Sequence, residues 1–430
     1  MPDWRRNFRY TWLNNFLTAA GMMAFLPVLP LYVREMGVED PDAVKRWSGF
    51  VTGSAPFVAA FLAPVWGELG DRHGFKIMMV RCNIAIMLFV GSMSLVTSPW
   101  MLLALRIGQG AFSGFLAPAM TLVSIQTPDE KQGRVTGLLQ TGALSGSVFG
   151  PFLGGLVGDA FGLRAAFALC AGLSFLALLV TMVGVREPER AVSPDRGRTT
   201  VGDLVLTALR SFFELLAPGP LRSLLVVVFL VRFSGILINP VLALFVENLG
   251  VQPDRLATLT GAVFVAAGVA NLMFASPWAY LGERYGHRQL LVGCAAAAGI
   301  VFIGTGFVTR VDALIVMRFL AAGFLAGVFP AAYAMATQLS PVERRGRTHG
   351  FTFSALALAN SLGPVGGGEI SAAWGLRATF FVSAGLLFLP ALFLGGLHAG
   401  RARRERSRRR QGGAGSDAPE AEQPTSRIQR

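Results

Sequence analysis

Three arginines, Arg106, Arg232 and Arg318, lie inside stretches that are otherwise almost wholly apolar. A guanidinium stays charged at any physiological pH. In such surroundings it either binds a polar partner or faces a hydrated cavity, where it can hold an anion. The carboxylates are placed differently. Glu68 and Asp71 close one apolar stretch, and Glu35, Asp159, Glu247 and Glu369 sit near the ends of others, with no acid at the middle of any. A carboxylate that moves between wet and dry surroundings can take up and release a proton, because burial favours its neutral form. Glu35, Glu68 and Asp159 are therefore candidates for proton handling. Further polar side chains in apolar stretches are Asn14, Asn15, Asn83, Gln109, Gln140, Asn239, Asn271, Gln338 and Asn360. Most can simply bond neighbouring helices. Asn15, Gln140, Asn239 and Asn360, with Pro27 and Arg232, are the candidates for lining an internal cavity.

Several chemistries are not supported. His73, His287, His349 and His398 are scattered, and Cys82, Cys170 and Cys294 sit in or beside apolar segments, so neither a metal site nor a disulfide framework is expected. No phosphate-binding loop is present, which argues against ATP as an energy source and against a membrane-embedded enzyme. No cofactor is expected. The formal charge of +13 does not mark a nucleic-acid groove, because the basic residues cluster in particular loops and in the tail.

The elements that position these residues follow from composition. Of 430 residues, 53% are hydrophobic and only 15% charged, against roughly a quarter charged in soluble proteins. Apolar stretches of about 20 residues, each long enough to cross a bilayer, recur along the chain. They predict an all-α polytopic membrane protein with spans near 10–33, 47–69, 76–96, 100–124, 136–159 and 165–185, then 221–246, 256–281, 288–308, 312–336, 347–371 and 377–397. The first stretch is too long for a cleavable signal and reads as the first span. The domains expected are a six-helix bundle over 1–185, a linker over 186–220, a second six-helix bundle over 221–397 and a disordered basic tail over 398–430. Within the linker, 201–216 has a helical apolar pattern that suits either a helix lying on the cytoplasmic membrane surface or a plain structured linker. The tail cluster from Arg401 to Arg410 fits a topological stop signal or contact with anionic lipid. Arg5, Arg6 and Arg9, Arg72 and Lys76, Lys131 and Arg134, and Arg344, Arg345 and Arg347 all fall on one side, with Arg34, Lys45 and Arg46 as exceptions. Both termini are therefore expected in the cytoplasm.

The halves repeat at an offset of 212 or 213 residues: Pro27-Val28-Leu29 aligns with Pro240-Val241-Leu242, Arg106 with Arg318, and Gly150-Pro151 with Gly363-Pro364. Such a duplication implies two pseudo-symmetric bundles with a cavity between them that opens alternately to either side. Glycines recur every fourth residue at Gly142, Gly146, Gly150, Gly154 and Gly158. In a soluble helix each would cost about 1 kcal/mol, but in lipid they form a groove for close helix packing. On that argument leucine at Gly150 should be disruptive and alanine milder.

The motifs taken together resemble the major facilitator superfamily, in its twelve-span drug/proton antiporter branch, as in tetracycline-type and Mdt-type multidrug efflux proteins. The loop Gly67-x-Leu69-Gly70-Asp71-Arg72-x-Gly74-Phe75-Lys76 is similar to the superfamily's cytoplasmic gating motif, with Phe75 where a basic residue is preferred. Arg106-x-x-Gln109-Gly110 is similar to its second antiporter motif, and Gly137, Gly146, Gly150, Pro151, Gly154 and Gly155 match its span-five signature. The resemblance implies several further points. Asp71 latches the halves in the outward-open state, Arg106 takes part in proton coupling, and the Gly-Pro region packs against the other half. The implied protein is a monomeric secondary transporter of the bacterial inner membrane that exports drugs or other amphiphilic small molecules in exchange for protons. An exporter or exchanger of one organic anion or metabolite, using arginines as anion ligands, is the alternative.

Overall fold

In the computed structural model, residues 4–187, 220–338 and 345–390 are described. The expected linker helix at 201–216 and the basic tail at 398–430 lie outside them. Every regular element among the described residues is a helix. The first half comprises α1 (Trp4–Ala24) and α2 (Leu29–Glu35), α3 (Pro41–His73), α4 (Phe75–Met93), α5 (Pro99–Phe112) and α6 (Leu116–Gln126), α7 (Asp129–Phe161) and α8 (Leu163–Gly184). The second comprises α9 (Pro220–Ile236) and α10 (Leu242–Asn248), α11 (Leu256–Tyr285), α12 (His287–Gly306), α13 (Val311–Leu325) and α14 (Val328–Gln338), α15 (Arg345–Trp374) and α16 (Ala378–Pro390). With α1–α2, α5–α6, α9–α10 and α13–α14 each read as one broken segment, the order is six and six.

Seven of these segments are long and apolar enough to cross a membrane, and nine if each of two bent ones is taken whole. The bent ones are α1–α2, turned by 45°, and α3, turned by 55° between Ala63 and Val65. The glycine-rich α7 and α15 are also long, but charged residues at their starts lower their apolarity.

The duplication is visible atom by atom. Trp66 Nε1 donates to the Ala111 carbonyl at 2.7 Å, and Trp278 Nε1 donates to the Gly323 carbonyl at 2.7 Å. The buried rings of Tyr32 and Phe167 lie 4.8 Å apart, and those of Phe245 and Phe380 4.9 Å. Gly74 (φ +99°) and Gly286 (φ +96°) end α3 and α11 in a backbone region that side chains avoid. The first and fourth segments of each half break at matching places. Pro27 and Pro240 lie at the first pair of breaks, where a missing N–H ends the helical ladder. Gly114 (φ +135°) and the turn at Ala326–Gly327 form the second.

Packing follows the small residues. A Cβ placed on Gly142, Gly146, Gly150 or Gly154 would overlap the carbonyl oxygen of Trp12, Phe16, Ala20 or Ala24, respectively. The stripe on α7 therefore seats on α1 of its own half. The contact expected of the Gly-Pro region with the other half is made by Pro151, whose carbonyl meets Gly261, and is extended by Gly155 against the Ala257 carbonyl, while Gly150 itself faces α1. Pro151 does not interrupt α7. Gly137 has nothing within 4 Å and takes no part in close packing.

Candidate functional site

A cavity of about 550 Å³ lies between the halves. From the first half it is lined by Pro56, Ala59, Ala63, Trp66 and Gly67 of α3, Met78 and Arg81 of α4, and the break Ser113–Phe115 with Pro118 of α6. From the second half come Arg232 of α9, Phe329 and Tyr333 of α14, and Leu356, Ala357 and Asn360 of α15. It runs from mid-helix positions such as Pro56 and Arg232 toward Gly67 and Phe75, beside the turn that joins α3 to α4. It thus reaches the end of the molecule at which α1 begins. Discontinuous helices bring turns to its wall, the arrangement transporters use to expose backbone at membrane depth.

The opposite end is sealed by contacts between halves. Arg34 pairs with Glu247 through two hydrogen bonds of 2.9 and 3.0 Å, and Arg46 lies 3.3 Å from Glu369. The Asp159 carboxylate accepts from the backbone N–H groups of Ala257 (3.0 Å) and Thr258 (2.7 Å), the first turn of α11. A negative charge is favoured at a helix N-terminus, where backbone N–H groups lack partners. Below this seal, Gly49 and Gly53 press on the carbonyls of Pro364 and Ser361, and Gly368 on that of Lys45. Two of the three basic residues that broke the charge pattern, Arg34 and Arg46, are thus gate partners. The third, Lys45, pairs with Asp42 at 2.7 Å.

The buried arginines serve different purposes. Arg106 stays inside the first half: its Nε donates to the Val51 carbonyl (3.0 Å), Nη2 to the Thr52 carbonyl (3.3 Å) and Nη1 to Gln109 Oε1 (2.6 Å). It fastens α5 to α3 and does not line the cavity. Its repeat mate Arg318 donates to Asn239 Oδ1 at 3.2 Å. Arg232 does line the cavity, with its Nε on Asn360 Oδ1 at 2.8 Å. Replacing Arg106 by lysine is expected to leave the buried Gln109 carbonyl without its partner, at a cost of about 1–3 kcal/mol. The check is thermal unfolding of the purified variant: a clear loss of stability is expected, and unchanged stability would mean that these bonds do not hold α5 to α3.

Of the other cavity candidates, Asn15 belongs to a polar core with Asn14, Asn83, Thr18 and Thr181 inside the first half. Pro27 is buried at the break between α1 and α2. Gln140 is exposed on α7 and contacts Met120 Sδ, and Asn239 serves Arg318. The structure therefore brings together Arg232 and Asn360 but not these four. Among the proton-handling candidates, Glu35 lies 3.9 Å from Arg164 of its own half, Glu68 pairs with Arg72, and Asp159 is bonded across the halves by the hydrogen bonds above. In the gating loop Gly67 lines the cavity, the Leu69 carbonyl lies 3.2 Å from His73 Nδ1, and Asp71 and Arg72 are exposed. Gly74 makes the turn, and Lys76 reaches the Met182 carbonyl at 3.0 Å. Sequence reasoning missed Glu187, whose carboxylate caps α4 through the N–H groups of Phe75 (3.0 Å) and Lys76 (2.6 Å). It also missed Arg81, whose guanidinium lies 3.4 Å from the centre of the Trp66 ring.

The family model of the Major Facilitator Superfamily matches residues 11–231 and 224–426. The chain belongs to this superfamily. Among similar proteins, the uncharacterized MFS-type transporter YuxJ of Bacillus subtilis is 34% identical over 383 residues, covering 89% of this chain and 96% of the relative. The multidrug resistance protein MdtG of Dickeya zeae is 32% identical over 391 residues, covering 91% and 94%. Two solved structures share the fold: the nucleoside transporter NupG, with TM-score 0.73, 14% identity and coverage of 90% of this chain and 99% of that one, and a bacterial homologue of the human lysosomal transporter Spinster, with TM-score 0.72, 17% identity and coverage of 90% and 95%. The superfamily member described here is a multi-pass membrane protein and a secondary transporter of small molecules, not an enzyme.

Proposed function

We propose that this transporter exports amphiphilic small molecules, drugs among them, across the bacterial cytoplasmic membrane in exchange for protons. The observation that carries this reading is the cavity between the halves, of about 550 Å³ and lined chiefly by apolar and aromatic side chains, a volume suited to drug-sized ligands. The names of the MdtG relatives point the same way. Both termini lie in the cytoplasm on this reading, so the cavity faces the cytoplasm in the present state. The working unit is the monomer, and the proton gradient replaces any cofactor.

Loading from the cytoplasmic side brings the halves together around the substrate, and the far seal then parts. The Asp159 carboxylate on the first turn of α11 is one of the contacts between the halves that must part. On the inner side Asp71 takes the corresponding part when the cavity faces outward. Asp71→Asn is expected to lower transport severalfold while leaving folding intact, because a two-state transporter responds to a few kcal/mol. The check is transport rate alongside the distribution of inward and outward states; normal values of both would remove Asp71 from the gate.

The decisive experiment uses purified protein in proteoliposomes with an imposed pH gradient. Substrate-dependent proton movement, with uphill transport that an ionophore abolishes, is expected for at least one amphiphile of a drug panel. Transport unaffected by the gradient would overturn the proton coupling.

A further inference from the structure

Two guanidinium groups face the cavity from opposite halves, Arg81 from the first and Arg232 from the second. Among the described residues no Asp or Glu lines it. We propose that Arg81, held against Trp66, and Arg232 select substrates whose polar end is an anion, such as a carboxylate, sulfonate or phosphonate, on an aromatic or aliphatic body. The inference rests on the transport reading above and narrows its substrate class.

Arg81 is built to receive an acceptor. The Trp66 ring is fixed by its own bond to the Ala111 carbonyl, and the guanidinium stacks on its face. Nε and Nη1 of Arg81 are buried and have no hydrogen-bond partner among the described residues. Buried donors left unmade are costly, and a charged one more so, which an anionic ligand relieves. Arg232 uses its Nε–H on Asn360, and its other four N–H donors find no partner among the described residues. The ring of Phe329 lies 5.7 Å from it, so each guanidinium is flanked by an aromatic surface for the substrate's body.

The duplication separates these two cations from the structural ones. Arg106 and Arg318 occupy equivalent places and are bonded inside their halves. Arg81 aligns with Gly293, and Arg232 with Ala19 or Ala20. The cavity cations are thus absent from the shared scaffold, as expected of groups that serve a ligand lying across the pseudo-symmetry axis. With uncompensated positive charge on both walls, a lipophilic cation is repelled and an anion is attracted. This interaction strengthens in a cavity of low dielectric constant.

The test uses three probes with one body and different heads: dansylglycine, dansylglycinamide and dansylethylenediamine, which carry an anion, a neutral amide and a cation. Binding to the purified full-length protein is read by energy transfer from tryptophan to dansyl. Transport is read in proteoliposomes. The carboxylate should bind about tenfold or more tighter than the amide, and the amine weakest. Arg81→Gln should bring carboxylate and amide within about twofold of each other, Arg81→Lys should retain part of the preference, and Arg232→Gln should also weaken the carboxylate selectively. Equal binding of the three heads by the unmodified protein would overturn the inference, as would Arg81→Gln losing all three in parallel, the mark of a structural role. Transport of all three at equal rates would overturn only the charge preference and keep the transport reading. A protein that binds and moves none of them, nor any compound of the drug panel, would overturn both.

Discussion

Gly154→Leu is expected to abolish transport and to reduce the yield of folded protein. A Cβ at this position already overlaps the Ala24 carbonyl, and the three preceding glycines of the stripe meet the carbonyls of Trp12, Phe16 and Ala20 one turn apart. Backbone cannot yield as a side-chain tip can, so α7 must lift away from α1. Overpacking of this kind costs about 1–3 kcal/mol or more. The lift also separates Gly155 from Ala257, the place where α7 meets the second half. At Gly150 and Gly154 even the methyl group of alanine meets backbone oxygen, so alanine is expected to disrupt as well, though less than leucine. Gly137→Leu is the control from the same motif, because nothing lies within 4 Å of that position and near-normal transport is expected there. Thermal melting and proteoliposome transport of the two leucine variants give the check. Full activity of Gly154→Leu would mean that the stripe is not a packing surface.

The segment order and the duplication were legible in the sequence because both rest on the linear chain: runs of apolar residues long enough for a bilayer, and matches at one offset. The structure extends that offset to contacts, such as the paired Trp66 and Trp278 hydrogen bonds and the paired buried rings. The breaks in α5–α6 and α13–α14 were not legible. Apart from Arg106 and Gln109 the span at 100–124 reads as one apolar run, and only the backbone at Gly114 shows that it is two helices whose junction lines the cavity.

The site was legible in part. Arg232 and Asn360 were expected in the cavity and meet there. Arg106 looked alike from sequence, since a guanidinium in an apolar run has the same signature whether it grips a neighbouring helix or a ligand. What separates the two is the carbonyls of Val51 and Thr52, more than 50 residues away. Arg81 was hidden for the opposite reason. It follows the basic loop at Lys76, where positive charge is explained by topology, and its stacking partner Trp66 belongs to another helix. Arg34 and Arg46 did stand out as exceptions to the charge pattern, yet their partners Glu247 and Glu369 lie in the other half of the chain.

Asp159→Ala is expected to shift the protein toward the state open at the far end, by about tenfold in the equilibrium. Among the described residues three polar contacts close that end, and they are unequal. The Arg34–Glu247 and Arg46–Glu369 pairs leave a third to a half of each side chain exposed, and exposed ion pairs contribute about 0–1 kcal/mol. Asp159 is partly buried and makes two charge-assisted bonds to the first turn of α11. Hydrogen bonds to charged groups contribute about 1.5–3 kcal/mol, and 1.4 kcal/mol is a factor of ten. Asp159→Asn keeps an acceptor and loses the charge, so its shift should be smaller and in the same direction. Breaking either exposed pair, by Arg34→Ala or Arg46→Ala, should move the equilibrium less than Asp159→Ala does. Distance distributions between spin labels on the two halves measure these shifts directly, without dependence on transport rate. If Asp159→Ala leaves the distribution unchanged while Arg34→Ala moves it, the ion pairs hold the gate and the helix cap does not.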